Sequence, residues 1–306
     1  MKTKVEFLVR VVRHLCGVAF LLIALVAQAQ NLFISNGNTG INNIYEFTPG
    51  GTQSTFASGL DSPFGLAFNS SGNLFVASAA FSGYIYEFTP DGTQSTFASG
   101  LSNPYSLAFN NSGDLFVGDG TGHIYKYMPD GTKSNFASGL LTPTALVFDK
   151  AGDLFEADYG SGFIYKFTPD GTRSTFASGI SNPEGMAFNN AGDLFVSSYY
   201  GPDGNIYKFS PDGTQSTFVS GLYYPIGLDF NASDNLYEAD YGSGHIYEFS
   251  PDGEQSTFAS GLHLPLGLTF QPVPEPSTFW LLAIGITVHF IRRGYTSFSQ
   301  RSKSFT

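Results

Sequence analysis

The residues best suited to chemistry are a few carboxylates and histidines that depart from their surroundings. Glu156 and Glu238 stand where matching stretches carry Val76, Val117, Val196 and Ile34, and each has an aspartate two positions on, Asp158 and Asp240. Residues i and i+2 of an extended stretch point to one side, so each pair offers two carboxylates together. Glu184 is a third departure, at a position held elsewhere by Phe64, Tyr105, Thr144, Ile226 and Leu266. Hard oxygen ligands of this kind suit Ca²⁺ or Mg²⁺, which makes Glu156, Asp158, Glu184, Glu238 and Asp240 the candidate metal ligands. The alternative is that both aspartates bond to their own loop backbones while the glutamates are solvated or singly paired; no ordered ligand spacing runs through the five. Between residues 30 and 271 the histidines are His123, His245 and His263. His123 and His245 share a position filled elsewhere by Asn43, Tyr84, Phe163 and Asn205, which marks a permissive surface site. His263 is placed to approach His245, and such a pair is where a general base would be sought. Glu184, His245 and His263 are therefore the candidate catalytic groups. No Gly-x-Ser-x-Gly, Cys/His pair or phosphate loop accompanies them.

These departures are visible because the chain between them repeats. The block beginning at Ile44 (IYEFTPGGTQSTFASGL) returns at Ile85, Ile124, Ile164, Ile206 and Ile246, at offsets of 41, 39, 40, 42 and 40 residues. Each unit reads as four short stretches, GLAF, DLFV, IYKF and QSTFASG, separated by Asn/Ser/Gly, a Gly-rich segment and Pro-Asp-Gly. Short, aromatic, turn-bounded stretches with a period of two are strands, and Pro-Asp-Gly is a turn whose glycine supplies the positive φ. Four antiparallel strands per repeat of this length predict an all-β fold, a six-bladed β-propeller. The first unit, beginning at Asn31, has no GLAF strand, while the last is followed by an orphan strand, 266–270. Pairing of that orphan into the first blade closes the ring and hides the edges that an open array would expose.

The motifs Asn-Pro-x-Gly-x-Ala-Phe (182–188) and Gly-Asp-Leu-Phe-Val (192–196) resemble those of six-bladed propellers of the NHL-repeat and TolB-like kind, including SMP-30/gluconolactonase and streptogramin-lyase types. The resemblance covers residues 31–270 and reports a blade more than a chemistry. It implies that a divalent metal, if present, sits at the channel mouth with Glu, Asn and Asp ligands. Variation in length places the changeable surface independently. The separation from second to third strand drifts between 8 and 11 residues, while the other spacings hold constant. That loop shares a rim with the blade-to-blade connections carrying Asp61, Asn103, Thr142, Asn182, Tyr224 and Leu264. Loops on a rigid scaffold usually carry function, so this rim is the expected binding face.

The ends read as addresses. Residues 1–29 have a basic start, an apolar run from Gly17 to Ala27 and a small-x-small site at Ala27 and Ala29, the pattern of a cleaved signal peptide. The single cysteine, Cys16, lies in this segment, so the exported domain, 30–271, has no disulfide. Residues 272–293 place Val273, Pro274, Glu275 and Pro276 before an apolar stretch, 279–291, and then Arg292 and Arg293. This resembles the PEP-CTERM sorting signal of exopolysaccharide-producing Gram-negative bacteria. The resemblance implies export, transient anchoring in the inner membrane by a C-terminal helix, and processing by an exosortase-type protease. His289 and a basic tail, 294–306, depart from the usual pattern. Residues 30–271 keep six Lys/Arg against 23 Asp/Glu, a balance of −17, which excludes nucleic acid as an expected partner. The near-identity of the units favours an exported binding scaffold at the cell surface or in the matrix, with an exopolysaccharide or a surface protein as ligand. The competing reading is a metal-dependent lactonase or lyase-like enzyme using Glu184 with the other carboxylates.

Overall fold

The computed structural model describes residues 30–37, 42–79 and 83–273. The signal segment with Ala27 and Ala29, and the sorting signal from Pro274 through Arg292 and Arg293, lie outside the described residues. Every predicted stretch is a strand. The first blade contains β1 (Leu32–Asn36), β2 (Asn43–Phe47) and β3 (Gln53–Ala57), and the second β4 (Pro63–Phe68), β5 (Leu74–Ser78), β6 (Gly83–Phe88) and β7 (Gln94–Leu101). The third holds β8 (Pro104–Phe109), β9 (Leu115–Asp119), β10 (His123–Tyr127) and β11 (Lys133–Ala137). The fourth holds β12 (Pro143–Phe148), β13 (Leu154–Asp158), β14 (Phe163–Phe167) and β15 (Arg173–Ser178). The fifth holds β16 (Pro183–Phe188), β17 (Leu194–Ser198), β18 (Gly204–Phe209) and β19 (Gln215–Leu222). The sixth holds β20 (Pro225–Phe230), β21 (Leu236–Asp240), β22 (His245–Phe249) and β23 (Gln255–Ala259), and β24 (Pro265–Phe270) follows. These form six four-stranded antiparallel sheets, and the first is ordered β24-β1-β2-β3. The orphan strand therefore closes the ring, with Leu268 opposite Ile34 and Phe270 opposite Leu32.

Packing follows from the aromatic repeat. The second strand of each blade is buried on both faces. Its aromatic residue meets two rings edge-on: Phe195 lies 5.0 Å from Phe218 of its own outer strand and 5.0 Å from Phe230 of the next blade's inner strand. The same trio closes the ring, where Tyr237 of blade six lies 4.9 Å from Phe270 of blade one. Each edge-to-face contact adds about 0.5–1.5 kcal/mol beyond area burial, so six repeated seams form a continuous apolar girdle.

Inner strands touch neighbouring inner strands around the ring. They approach so closely that a Cβ on Gly185 would come within 2.0 Å of the Ile226 carbonyl oxygen, which is why that position is glycine. Here Ser197 Oγ accepts from Gly185 N at 2.8 Å and donates to Ile226 O at 2.7 Å, joining blades five and six. The strands line an open cavity of about 550 Å³ with Leu107, Leu146, Met186, Leu228 and Leu268, among others. On the outer slope, blades with Lys in the third strand set it against Asp, as in Lys126–Asp114 at 2.8 Å and Lys208–Asp193 at 2.8 Å. Blades with Glu there pair it with Asn instead, as in Asn73 to Glu87 at 2.7 Å.

Candidate binding face at the channel mouth

The second residue of each inner strand forms a layer: Phe64, Tyr105, Thr144, Glu184, Ile226 and Leu266. Phe64 and Tyr105 are neighbours within it, their rings 5.4 Å apart, and Thr144 Oγ1 donates to Pro183 O at 2.8 Å. Glu184 is half-buried, but its Oε2 is fully buried and has no hydrogen-bond partner. Desolvation pushes its carboxyl up to about 8, so it is largely protonated at neutral pH. Burial first, and then the nearby Glu184 carboxyl when ionised, raises the hydroxyls of Tyr105 and Tyr159, while burial, then Tyr241 and then Glu184 push Tyr199 up to about 12.

Those tyrosines belong to a larger cluster. Tyr159, Tyr199 and Tyr241 follow the second strands of blades four, five and six, on the loop whose length varies. Tyr199 is the hub, 6.3 Å from Tyr159, 6.2 Å from Tyr241 and 4.7 Å from Tyr224, which lies 5.0 Å from Tyr223. Tyr224 holds a left-handed backbone, φ 60°, a conformation that costs a non-glycine residue about 1–2 kcal/mol. Gly201 and Gly242 give these rings their room: a Cβ would meet Tyr224 at 2.6 Å in the first case and Tyr223 at 2.1 Å in the second. At the outer edge Tyr200, Tyr223 and Leu141 are exposed. The expected rim therefore carries an aromatic floor over blades four to six, with one unpartnered acid at its inner side.

The other candidates lie elsewhere. Asp158 accepts from Leu141 N at 2.8 Å, Thr142 N at 3.3 Å and Ser161 N at 3.1 Å; Asp240 accepts from Tyr223 N at 2.8 Å and Ser243 N at 2.9 Å. Each fastens the blade connection to the variable loop beneath the tyrosines. Hydrogen bonds to a carboxylate each contribute about 1.5–3 kcal/mol, so Asp158→Ala is expected to cost about 3 kcal/mol. Thermal melting, with amide exchange at Ser161, measures this; unchanged stability contradicts the assignment.

Glu156 and Glu238 are fully buried, and neither oxygen of either carboxyl has a partner. Leu154, two residues before Glu156, belongs to an apolar cluster with Phe116, Ile124 and Leu140 of blade three. Leu236, two before Glu238, belongs to one with Phe195, Ile206 and Leu222 of blade five. The glutamates thus face the seams between blades. Desolvation first, and then the neighbouring Asp158 or Asp240, raises both carboxyls well above the usual range.

His245 stacks on Tyr247 with ring centres 5.5 Å apart, as His123 does on Tyr125, and His263 is exposed. Among the described residues no three His, Cys, Asp or Glu side chains gather closely enough to hold a metal ion. Ca²⁺ takes six to eight oxygen ligands, whereas the mouth layer brings one carboxylate among aromatic and aliphatic neighbours. That layer does not fit the metal centre the family resemblance implies.

Two features escaped the sequence pattern. Asp229 replaces the alanine of GLAF and lines the cavity, accepting from Phe230 N at 2.8 Å and Phe270 N at 2.9 Å. Desolvation, opposed by these bonds, lifts it to about 6. A single deviating letter was its signal. The tyrosine hub is assembled from three loops and a connection, and no one repeat displays it.

Known proteins agree with this architecture. Residues 272–293 match the PEP-CTERM protein-sorting motif, which ties the chain to an exosortase-linked route to the cell surface or exterior. Among the described residues no helix is long and apolar enough to cross a membrane; the apolar stretch 279–291 lies outside them. No curated protein matches the chain. A streptogramin B lyase structure is similar with a TM-score of 0.61 at 15% identity, covering 79% of this chain and 90% of that one. Virginiamycin B lyase from Staphylococcus aureus is similar at 0.56 and 14% identity, covering 69% and 77%. A putative gluconolactonase is similar at 0.57 and 18% identity, covering 70% and 80%. At these identities the likeness is one of fold. The chain thus joins a PEP-CTERM protein-sorting motif to a six-bladed β-propeller structurally similar to the gluconolactonase and streptogramin-lyase folds.

Proposed function

We propose that the protein is an exported binding scaffold whose tyrosine-lined rim over blades four to six engages an extracellular ligand, an exopolysaccharide or a surface protein. The observation that carries this reading is the hub at Tyr199, in contact with three other rings and set on the loop whose length varies. Tyrosines supply large amphipathic contact area at low conformational cost. The rest of the proposal concerns place. Residues 1–29 direct export, the segment after Pro272 anchors the chain transiently in the inner membrane, and an exosortase-type protease releases it to the surface or matrix of a Gram-negative cell.

The test is retention of the protein on the isolated matrix of its host. Tyr199→Ala with Tyr241→Ala is expected to lower retention about tenfold or more, the effect of losing two aromatic anchors, while Lys133→Ala is expected to leave it unchanged. Equal retention of all three proteins overturns the reading. The enzymatic alternative is favoured by one observation, a carboxyl at the mouth whose Oε2 is buried and has no hydrogen-bond partner. It requires turnover of a lactone or cyclic ester that Glu184→Gln abolishes.

A further inference from the structure

We propose that the channel mouth is a site for a quaternary ammonium group, held between the Glu184 carboxylate and the tyrosines around Tyr199. This rests on the reading of that rim as a binding surface and names the chemistry it recognises. Three observations lead to it.

Glu184 Oε2 is buried and unpartnered. A buried acid left without a partner is costly, and in the five other blades the same position is filled without one, by Phe64, Tyr105, Thr144, Ile226 and Leu266. A cation held beside the partly exposed carboxyl offsets the cost of its charge electrostatically and favours the ionised form.

The walls are aromatic. Tyr199 meets Tyr159 at 56° and Tyr241 at 63°, so the rings form steep corners instead of a flat stack. The negative faces of such rings attract cations, and cages of this composition suit alkylated ammonium groups. The strongly acidic exported domain, six basic against 23 acidic residues, draws cations toward the mouth.

The third observation separates one cation from another. A primary ammonium has three N–H donors to satisfy and a guanidinium five, while a divalent metal needs more oxygens than the layer holds. In that layer Thr144 is already committed to Pro183 O, Phe64, Ile226 and Leu266 offer no acceptor side chain, and beside the carboxylate only the Tyr105 hydroxyl can accept, too few acceptors for three or five N–H groups. A quaternary ammonium donates no hydrogen bond and presents methyl groups, so one carboxylate and a set of π-faces satisfy it.

The ionisation of Glu184 provides a readout. With the carboxyl at about 8, about one per cent is ionised at pH 6 and about nine-tenths at pH 9. The hydroxyls facing it, on Tyr105, Tyr159 and Tyr199, are all raised above their ordinary values and do not ionise in that window. On the strands packed against β16 the other titratable side chains are Glu156 and Asp158 on β13 and Asp229 on β20. A pH dependence arising from them would survive in a Glu184 variant.

The full chain in mild detergent is titrated calorimetrically at pH 6 and pH 9 with tetramethylammonium, choline, ethanolamine and 3,3-dimethylbutanol, the neutral isostere of choline. The expected result is one saturable site for both quaternary cations. Binding is about tenfold tighter at pH 9 than at pH 6, and about tenfold tighter than for the isostere or ethanolamine at pH 9. Glu184→Gln is expected to abolish the pH dependence, and Tyr199→Leu to weaken binding at both pH values. Melting curves check the fold of both variants. Equal affinity for the neutral isostere, tighter binding of ethanolamine, an unaltered pH dependence in Glu184→Gln, or no saturation at millimolar concentration each overturns the assignment. If quaternary cations do not bind but matrix retention still depends on Tyr199, the cation assignment alone fails; if neither holds, the binding-face reading fails with it.

Discussion

Replacing Glu156 and Glu238 together by valine raises the stability of the propeller by an amount on the order of 4 kcal/mol, because each unpartnered buried polar group costs about 1–3 kcal/mol and valine is what fits these seams elsewhere. Val76, Val117 and Val196 occupy the equivalent sites of blades two, three and five and are fully buried. For a domain of this size the gain corresponds to a rise of about 10 °C in melting temperature. The effect also carries a pH signature. The unfolded chain releases the glutamate protons from about pH 4.3 upward, whereas the folded chain keeps them, since both carboxyls are raised well above the usual range. The folded state thus binds more protons, and its stability falls as pH rises. Glu184, at about 8, and Asp229, at about 6, act in the same direction. The wild-type protein is therefore expected to be more stable at pH 5 than at pH 7.5, and the double variant to show a shallower decline. Denaturant melts at the two pH values measure both quantities. A destabilised variant, or an unchanged slope, contradicts the placement of these glutamates.

A chain ending at Leu264 loses β24 and with it the closure of the ring, whereas a chain ending at Pro272 retains both. Leu268 belongs to the apolar cluster with Leu32, Ile34 and Ala239, and Phe270 lies against Tyr237. Removing buried leucine and phenylalanine side chains costs about 2–5 kcal/mol each, and the lost ladder adds about 0.5–1.5 kcal/mol per hydrogen bond. Together these approach the whole net stability of a typical domain, about 5–15 kcal/mol. The exposed edge of β1 also becomes a template for aggregation. The shorter chain is expected to lack a cooperative melting transition and to precipitate, while the longer one melts as the full chain does. A soluble, cooperatively melting chain ending at Leu264 contradicts ring closure by this strand.

Blade number and closure were legible in the sequence because the repeat is strict and the unpaired GLTF strand has one place to go. The Pro-Asp-Gly turns were legible for a similar reason: Gly92, Gly131, Gly171, Gly213 and Gly253 all take φ between 83° and 88°. The environment of Glu156 and Glu238 was not. Alternation tells that Glu156 and Asp158 share a side of the strand, but a second strand buried on both faces gives no hint which neighbour that side meets. Asp158 and Asp240 took the alternative the sequence left open, capping backbone N–H groups of their own rim. The ring contacts of Tyr199 depend on loop paths across three blades, and a one-dimensional pattern does not encode which tyrosines converge.

Hydrogen–deuterium exchange of the protein bound to isolated host matrix tests the central claim most directly, because it reports the contacted face without prior choice of a residue. Binding at the tyrosine rim predicts slowed exchange in the loops after β13, β17 and β21 and in the connection carrying Tyr223 and Tyr224, with the Pro-Asp-Gly turns unchanged. Protection centred on those turns, with the tyrosine loops unchanged, would contradict it.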